Sequence, residues 1–377
     1  MLTLRGTWMR GGTSKCWLFN SVDVDPLIHS DGDLDRLLSA AFGSGDPAQL
    51  DGVGGGSSTT SKAAVVRRSA VPGVDIDYLF AQVAIGRRAV EWGSNCGNCA
   101  TAIGLYALQS GLVAVAAERT VIRMRNQNTG AVLTAEIDTP DARIPTEGTA
   151  AVPGTTALGV PVVLTFDAVV PSAADLLPSG SVVDSLEAAG RRFDATLVTA
   201  GAPAALFDAR DFAMTGAEGN DVLTERLPVL IELRRQAALR MGLALPTDPV
   251  SHAVPKVGVV GPAVTYRTWD GQFVEAADYD ISVRMVSMMA PHPSIGLTSA
   301  VAIVAAAAIG DGIVARQLAT PAPGWLRIGT AAGVVRAGYT RRPDGTVDAV
   351  SLHRAARRIA SAELYVAGTT SALAGAP

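Results

Sequence analysis

Glycine and proline interrupt this chain so often that it can form only short regular segments. The 377 residues include 39 glycines and 21 prolines, spread along the whole length. Many segments between them are alternating or β-branched runs, a pattern typical of strands bounded by turns. The sequence therefore predicts a strand-rich fold, with strands at 2–9, 63–69, 74–85, 120–125, 131–137, 160–166, 194–198, 256–260 and 279–286.

Few segments have the residue spacing of a helix. Residues 33–42 carry apolar side chains on one helical face, and residues 98–110 show a similar spacing. Residues 228–241 open with Pro228, which suits a first helical turn. Residues 299–309 are apolar on all sides, so we expect this helix to be enclosed by sheet.

The order of these segments indicates an imprecise internal duplication. Each half has strands, then a segment that opens a buried helix, then more strands, with the helices at 96–111 and 294–310. Residues 171–180, rich in Pro, Ala and Ser, are the candidate linker. We therefore expect two α+β domains, residues 1–172 and 173–377, with a small-molecule site in the cleft between them.

Charge and hydropathy argue against several classes of protein. The formal net charge is −4 and no block of like charges occurs, so nothing favours nucleic-acid binding. No apolar stretch of signal-peptide length opens the chain, and the longest apolar run, 300–309, is shorter than the roughly 18 residues of a membrane span. The three cysteines, Cys16, Cys96 and Cys99, leave one unpaired. The sequence thus predicts a cytoplasmic protein that uses no membrane, and it is compatible with a homodimer.

Lysine is rare among the basic residues. Of 31 such residues only Lys15, Lys62 and Lys256 are lysines, and 28 are arginines. In so arginine-biased a chain, an ordinary surface cation is normally arginine. The lysines are therefore candidates for positions that need an amine able to lose its proton, with chance retention as the alternative.

Two segments of the first half have residues suited to chemistry. Residues 51–62 contain Gly54, Gly55 and Gly56 followed by hydroxyl residues, which suits a carboxylate or phosphate, although a flexible surface loop explains the same pattern. In the second segment Cys96 stands at the start of a predicted helix, where the positive end of the helix dipole lowers a thiol pKa.

The spacing of Cys96 and Cys99 is also that of a zinc or redox pair. No second cysteine pair exists and the histidines are scattered, which argues against zinc.

The second-half helix offers Thr298 and Ser299 at its start as another anion site. His292 lies between two prolines and could contact a ligand or be a hydrogen-bonded structural residue.

Five motifs occur together between residues 9 and 310: Met9-Arg-Gly-Gly-Thr-Ser-Lys15, the Gly54 to Lys62 segment, Asn95-Cys-Gly-Asn98, Val254-Pro-Lys256 and the Met289 to Thr298 stretch. The combination resembles the PrpF family, which includes 4-oxalomesaconate tautomerase, methylitaconate Δ-isomerase and aconitate isomerases. That family lies in the diaminopimelate epimerase-like superfamily. The resemblance implies an α+β fold of two pseudo-symmetric domains, each a curved, mostly antiparallel sheet around a central helix.

The resemblance also implies a cofactor-free site without metal. Lys62 after Thr-Ser and Cys96 in Asn-Cys-Gly-Asn correspond to the family's proton-transfer pair. The chain departs from the family where Thr199 and Ala202 replace Asp and Asn, and at residues 330–333. We expect substrate contacts from Arg10, Gly11, Thr13, Ser14, Gly54, Gly55, Gly56, Thr60, Ser61, Asn95, Gly97, Asn98, His292, Thr298 and Ser299.

Three functions follow as hypotheses. The first is an isomerase or tautomerase that moves a double bond in a small unsaturated di- or tricarboxylate, with Lys62 as base and Cys96 as acid. The second is an amino-acid racemase or epimerase, which the lack of a second helix-start cysteine disfavours. The third is a non-catalytic carboxylate-binding or assisting protein. Arg10, Arg284 and Arg327 are candidate carboxylate clamps.

Overall fold

The computed structural model describes residues 1–93, 95–167, 169, 173–320 and 324–366. Within them lie 19 strands and six α-helices. The strands are β1 (Leu2–Gly11), β2 (Ser14–Asn20), β3 (Lys62–Arg68), β4 (Ile76–Val83), β5 (Val90–Glu91), β6 (Arg119–Asn126), β7 (Val132–Asp138), β8 (Val160–Phe166), β9 (Asp184–Ala188), β10 (Arg191–Ala200), β11 (Ala202–Asp208), β12 (Lys256–Pro262), β13 (Tyr266–Arg267), β14 (Phe273–Val274), β15 (Ile281–Ser287), β16 (Ala290–Pro291), β17 (Trp325–Thr330), β18 (Gly333–Arg341) and β19 (Val347–Val366).

The α-helices are α1 (Ser21–Val24), α2 (Asp33–Phe42), α3 (Gly97–Gln109), α4 (Ala173–Leu176), α5 (Asn220–Arg240) and α6 (Leu297–Ala307). Short 3-10 helices span Asp25–Leu27, Pro140–Ala142, Ala209–Phe212, Ala276–Asp278 and Ala315–Gln317. In the described part of the chain, no helix is both long and apolar enough to cross a membrane.

Eight strands close into a barrel in the first half. Hydrogen-bonded neighbours follow the order β1, β2, β3, β4, β6, β7, β8 and β19, and β19 pairs again with β1. The β2–β3 and β4–β6 pairs are parallel, and the other pairs of this barrel are antiparallel. Helix α3 lies inside, packed against β1, β2, β7, β8 and β19.

The second half repeats this topology around α6. Its strands pair in the order β9, β10, β11, β12, β15, β17, β18 and β19, again with two parallel pairs, β11–β12 and β15–β17. Strand β19 is 20 residues long and belongs to both halves. The structure confirms the predicted pair of pseudo-symmetric, mostly antiparallel sheets, each around a central helix.

The central helices are enclosed because their side chains are small or apolar on every side. Residues 97–108 of α3 and 297–306 of α6 are all buried. At Gly104 an added Cβ would lie 2.7 Å from the Ala135 Cβ of β7, so only glycine permits this close approach. Packing of this kind brings the N-termini of α3 and α6 to the boundary between the halves, where Gly97 meets Leu297.

The helix predicted at 228–241 needs a correction, because α5 begins at Asn220 and Pro228 lies inside it. Leu223 and Leu230 are fully buried in the core beside β10 and β12, and their burial outweighs the hydrogen bond that the proline cannot make. Positions 171 and 172 of the predicted linker lie outside the described residues. The domain boundary between 172 and 173 therefore stays a prediction.

Candidate active site

A narrow cavity lies where the two halves meet, beside the first turns of α3 and α6. Side chains of both halves line it. The amine of Lys62 and the thiol of Cys96 therefore share one cavity. The predicted site residues that line it are Ser14, Lys62, Asn95, Cys96, Gly97 and Asn98 from the first half and His292, Thr298 and Ser299 from the second.

Three predicted residues near the start of the chain support this wall without lining the cavity. Arg10 is buried, and its guanidinium donates hydrogen bonds of 2.9 Å to two backbone carbonyl oxygens, so it is occupied within the fold. At Gly11 an added Cβ would lie 1.9 Å from the Asn98 backbone oxygen. Thr13 Oγ1 accepts a hydrogen bond of 3.2 Å from Asn98 Nδ2. These contacts position Asn98 at the start of α3.

The glycine-rich segment wraps around the buried side chain of Gln49. Gln49 Oε1 accepts the Gly56 N–H at 2.9 Å, and Gln49 Nε2 donates to Ser61 Oγ at 2.8 Å. An added Cβ at Gly54 would lie 2.1 Å from Gln49 Oε1, which explains the glycine. The segment thus shapes the turn that leads into Lys62. Thr59 lines the cavity, whereas the predicted Gly54, Gly55, Gly56, Thr60 and Ser61 do not.

Lys62 is the first residue of β3, and its amine lies between a polar and an aromatic group. Lys62 Nζ donates a hydrogen bond to Gln82 Oε1 on β4 and lies 5.2 Å from the centre of the Phe80 ring. Gln82 is fixed in turn, because its Nε2 donates to the Ser61 backbone oxygen at 2.9 Å. Within the described residues no carboxylate forms an ion pair with Lys62.

Cys96 is the N-cap residue of α3, and its backbone oxygen accepts the Ala100 N–H at 2.9 Å. The predicted lowering of its pKa is wrong. The hydrogen bond shared with the Cys99 thiol, together with burial, raises the pKa of Cys96 well above its usual value, and the nearby Lys62 charge does not offset this. At neutral pH Cys96 is therefore a thiol, the form that can donate a proton.

Asn95 is held in one orientation by its neighbours. The Tyr78 hydroxyl donates to Asn95 Oδ1 at 3.0 Å, and Asn126 Nδ2 donates to the same oxygen at 3.4 Å. Burial raises the pKa of Tyr78, so this phenol keeps its proton. Since Asn95 Nδ2 has no hydrogen-bond partner within the part of the chain that the structure describes, its two N–H groups can serve a ligand in the cavity.

His292 and the first turn of α6 form the opposite wall. His292 Nδ1 accepts the Ser294 N–H at 3.0 Å. Burial, with the charges of Lys62 and Lys256, lowers the pKa of His292 to about 3, so the ring is neutral. Thr298 and Ser299 follow Gly296, the N-cap of α6. The first turns of both helices thus face the cavity, and the first N–H groups of a helix have no carbonyl partner within it.

Lys256 and Gln82 also line the cavity, although neither was among the predicted site residues. Lys256 lines the cavity from β12, and burial followed by the Lys62 charge lowers the pKa of Lys256 to about 8. The rarity of lysine and the Val254-Pro-Lys256 motif were the available signals, whereas nothing marked Gln82.

The remaining candidate clamps are engaged elsewhere in the fold. The Arg284 guanidinium donates to backbone oxygens of Ala217 and Glu218 at 2.7 and 2.6 Å. Arg327 forms an ion pair of 2.8 Å with Asp280. Among the described residues, no three His, Cys, Asp or Glu side chains gather into a metal site. Among the described residues that line the cavity, the cationic side chains are the amines of Lys62 and Lys256, and the guanidinium groups of these two arginines serve the fold.

The fold and the cavity define a protein of the diaminopimelate epimerase-like fold class, with two sheet-wrapped helices that point at one small site. The chain belongs to the PrpF family: the family model described as PrpF protein matches residues 1–367.

Curated relatives and a solved structure agree with this assignment. The chain is 34% identical over 356 residues to the 2-methyl-aconitate isomerase of Shewanella oneidensis, with 89% of each chain covered. It is 33% identical over 367 residues to the (4E)-oxalomesaconate Delta-isomerase of a Novosphingobium species, covering 95% of this chain and 96% of that one. The crystal structure of a methylitaconate-delta-isomerase matches with a TM-score of 0.78 and 30% identity over 99% of both chains. These relatives are isomerases, and so is this chain.

Proposed function

We propose that this isomerase moves a carbon–carbon double bond by 1,3-proton transfer in a small unsaturated di- or tricarboxylate, without a cofactor. The observation that carries the proposal is the shared cavity of Lys62 and Cys96 at the N-termini of α3 and α6. The names of the relatives, which refer to methylaconitate, methylitaconate and oxalomesaconate, support this substrate class.

Binding of carboxylates follows from the walls of the cavity. The first N–H groups of a helix have no partner inside the helix, and the helix dipole adds positive potential there. Gly97 and Asn98 of α3 and Thr298 and Ser299 of α6 bring two such ends to one cavity. Carboxylates held at both ends would place the carbon chain between the amine and the thiol.

Proton removal is assigned to Lys62. The proposed reactive form of the site has Lys62 as a neutral amine, reached when the ammonium form gives one proton to solvent. This amine still donates to Gln82 Oε1 and keeps a lone pair for the substrate. The C–H bond beside the carboxylate breaks, and its electron pair forms the new double bond through a dienolate. Positive charge and N–H groups around the cavity stabilise the dienolate, whose charge is largest when the proton has left.

Proton return is assigned to Cys96. Its thiol gives a proton to the far carbon, where the electrons of the original double bond form the new C–H bond. The raised pKa of Cys96 supports this role, because the group holds a proton before the reaction. The step leaves a Lys62 ammonium and a Cys96 thiolate, and transfer of one proton between them restores the starting state.

Deuterium exchange tests the proposal. Wild type in D₂O should incorporate deuterium into aconitate, methylitaconate or 4-oxalomesaconate, followed by NMR, with Lys62→Ala and Cys96→Ser reduced about 100-fold or more. Lys15→Ala is the matched control, because Lys15 Nζ lies 4.4 Å from the centre of the Trp8 ring and does not line the cavity. Normal turnover in both site variants would remove the assignment.

A further inference from the structure

The internal symmetry of the fold places a second lysine opposite the first. Lys62 begins β3, which pairs parallel with β2 and antiparallel with β4. Lys256 begins β12, which pairs parallel with β11 and antiparallel with β15. The two lysines therefore occupy equivalent positions in the two halves, and both line the cavity.

Lys256 has hydrogens to donate and no anionic partner. Its Nζ donates to the Ala253 backbone oxygen at 2.6 Å, which uses one of the three hydrogens of an ammonium group. Within the described residues no carboxylate forms an ion pair with it. Lys256 is half-buried, and a partly desolvated cation without a counter-ion is costly to the fold, so a bound anion would supply the missing charge.

The charges that face Lys256 come from both halves. Lys62 on β3 and Arg234 on α5 disfavour its charged form, whereas Glu91 on β5 favours it. Cys96 beside α3 faces it as an uncharged thiol, and only its thiolate form would favour the ammonium. His292 also faces it and is neutral. With burial, the balance brings the pKa of Lys256 to about 8, so at pH 7 most molecules carry the ammonium form and at pH 9 few do.

We infer that Lys256, as an ammonium group, binds a carboxylate of the substrate from the second-half wall and stabilises the dienolate charge that develops there. The inference rests on the proposed function and adds a cation that is separate from the proposed Lys62–Cys96 pair. Proton removal stays with Lys62, so the two lysines have different roles at symmetry-related positions. A substrate carboxylate near Lys256 strengthens the ammonium form further, because opposite charges stabilise each other.

The test uses binding of propane-1,2,3-tricarboxylate, a saturated compound that has no double bond to move. Calorimetry at pH 7 should show affinity about 10- to 100-fold weaker in Lys256→Met than in wild type, the loss expected for one charge-assisted hydrogen bond. Lys256→Arg keeps the charge and should bind within a few-fold of wild type. Lys15→Met serves as the matched control and should bind as wild type does.

The pH dependence adds a readout that a purely structural role would not change. Between pH 7 and 9, wild-type affinity should fall about tenfold, because the free protein loses the proton of Lys256 over this interval. Lys256→Arg should not show this decrease, since guanidinium keeps its proton.

Two results overturn the inference: unchanged affinity in Lys256→Met, or a Lys256→Arg variant that loses binding at pH 7 and pH 9 as Lys256→Met does. If Lys256→Met does not fold, the pH dependence of Lys256→Arg against wild type decides, and equal decreases overturn the inference. Wild type that binds no polycarboxylate at all would instead contradict the proposed function.

Discussion

The contact between α3 and α6 gives a prediction that joins stability to chemistry. Gly97 is the first residue of α3 and follows Cys96 directly. A Cβ added at Gly97 would lie 2.6 Å from the Cβ of Leu297, the first residue of α6, and 2.8 Å from Phe166 Cζ. The Phe166 ring is the far end of a side chain and can rotate, but the Leu297 Cβ moves only with its helix. Gly97→Ala must therefore separate the two helix ends.

The size of the effect follows from these distances. Ordinary contact begins near 3.4 Å, so the Cβ atoms must move about 0.8 Å apart. Overpacking of this kind costs about 1–3 kcal/mol, and the better helix propensity of alanine returns at most about 1 kcal/mol. We expect a net loss of about 1–2 kcal/mol in the free energy of unfolding. A displacement near 1 Å at Cys96 should also lower kcat about 10- to 100-fold.

Gly104→Ala provides the matched control for this prediction. Its added Cβ would lie 2.7 Å from the Ala135 Cβ, a similar clash on the same helix, about 10 Å further from the site. Urea unfolding should show comparable destabilisation of both variants, while kcat should fall in Gly97→Ala and stay near wild type in Gly104→Ala. Equal losses of kcat, or a Gly97→Ala variant with wild-type stability and kcat, would refute the reasoning.

Two further predictions concern ionisation. Cys99→Ala removes the thiol that contributes most to the raised pKa of Cys96. The pH midpoint for alkylation of Cys96 by iodoacetamide should therefore move down, and an unchanged midpoint would show that Cys99 does not raise this pKa. In the folded protein His292 stays neutral down to about pH 3, whereas in the unfolded chain it binds a proton below pH 6.5. The free energy of unfolding should therefore decrease as the pH falls below 6.5, by up to about 1.4 kcal/mol per pH unit. In urea titrations His292→Gln should flatten this dependence, and an equal slope would show that other groups cause it.

The two central helices were predictable because each has a local pattern that tertiary contacts reinforce. The predicted 98–110 and 299–309 correspond to α3 and α6 within two residues at either end. The unpredicted strands have weaker local signals. Residues 202–208, which form β11, contain three alanines and a proline, and they become a strand by pairing between β10 and β12. Such pairing depends on distant residues and leaves little trace in a local pattern.

Two predicted residues that meet in the cavity were marked by residue type and position. Lys62 stood out because lysine is rare in this chain, and Cys96 because it opens a predicted helix. Their roles as base and acid stay predictions. The glycine-rich segment was assigned to the ligand because conformational freedom suits anion binding, yet Gly54 instead makes room for the Gln49 side chain. The sequence shows only that a position is glycine, and it does not show whether a ligand or a side chain of the protein packs against the backbone there. The predicted cytoplasmic location and homodimer stay predictions.

The two halves also show why symmetry of the fold need not mean symmetry of the chemistry. A racemase must take and return a proton at one carbon from opposite faces, which favours equivalent groups in both halves. Here the N-cap of α3 is Cys96 and that of α6 is Gly296, so only one helix start carries an acid. Double-bond migration instead uses two different carbons and needs one acid. The cysteine-to-glycine difference therefore favours isomerisation over racemisation. The two lysines at equivalent positions also differ in their proposed roles, with Lys62 as the base and Lys256 as the cation that binds a carboxylate.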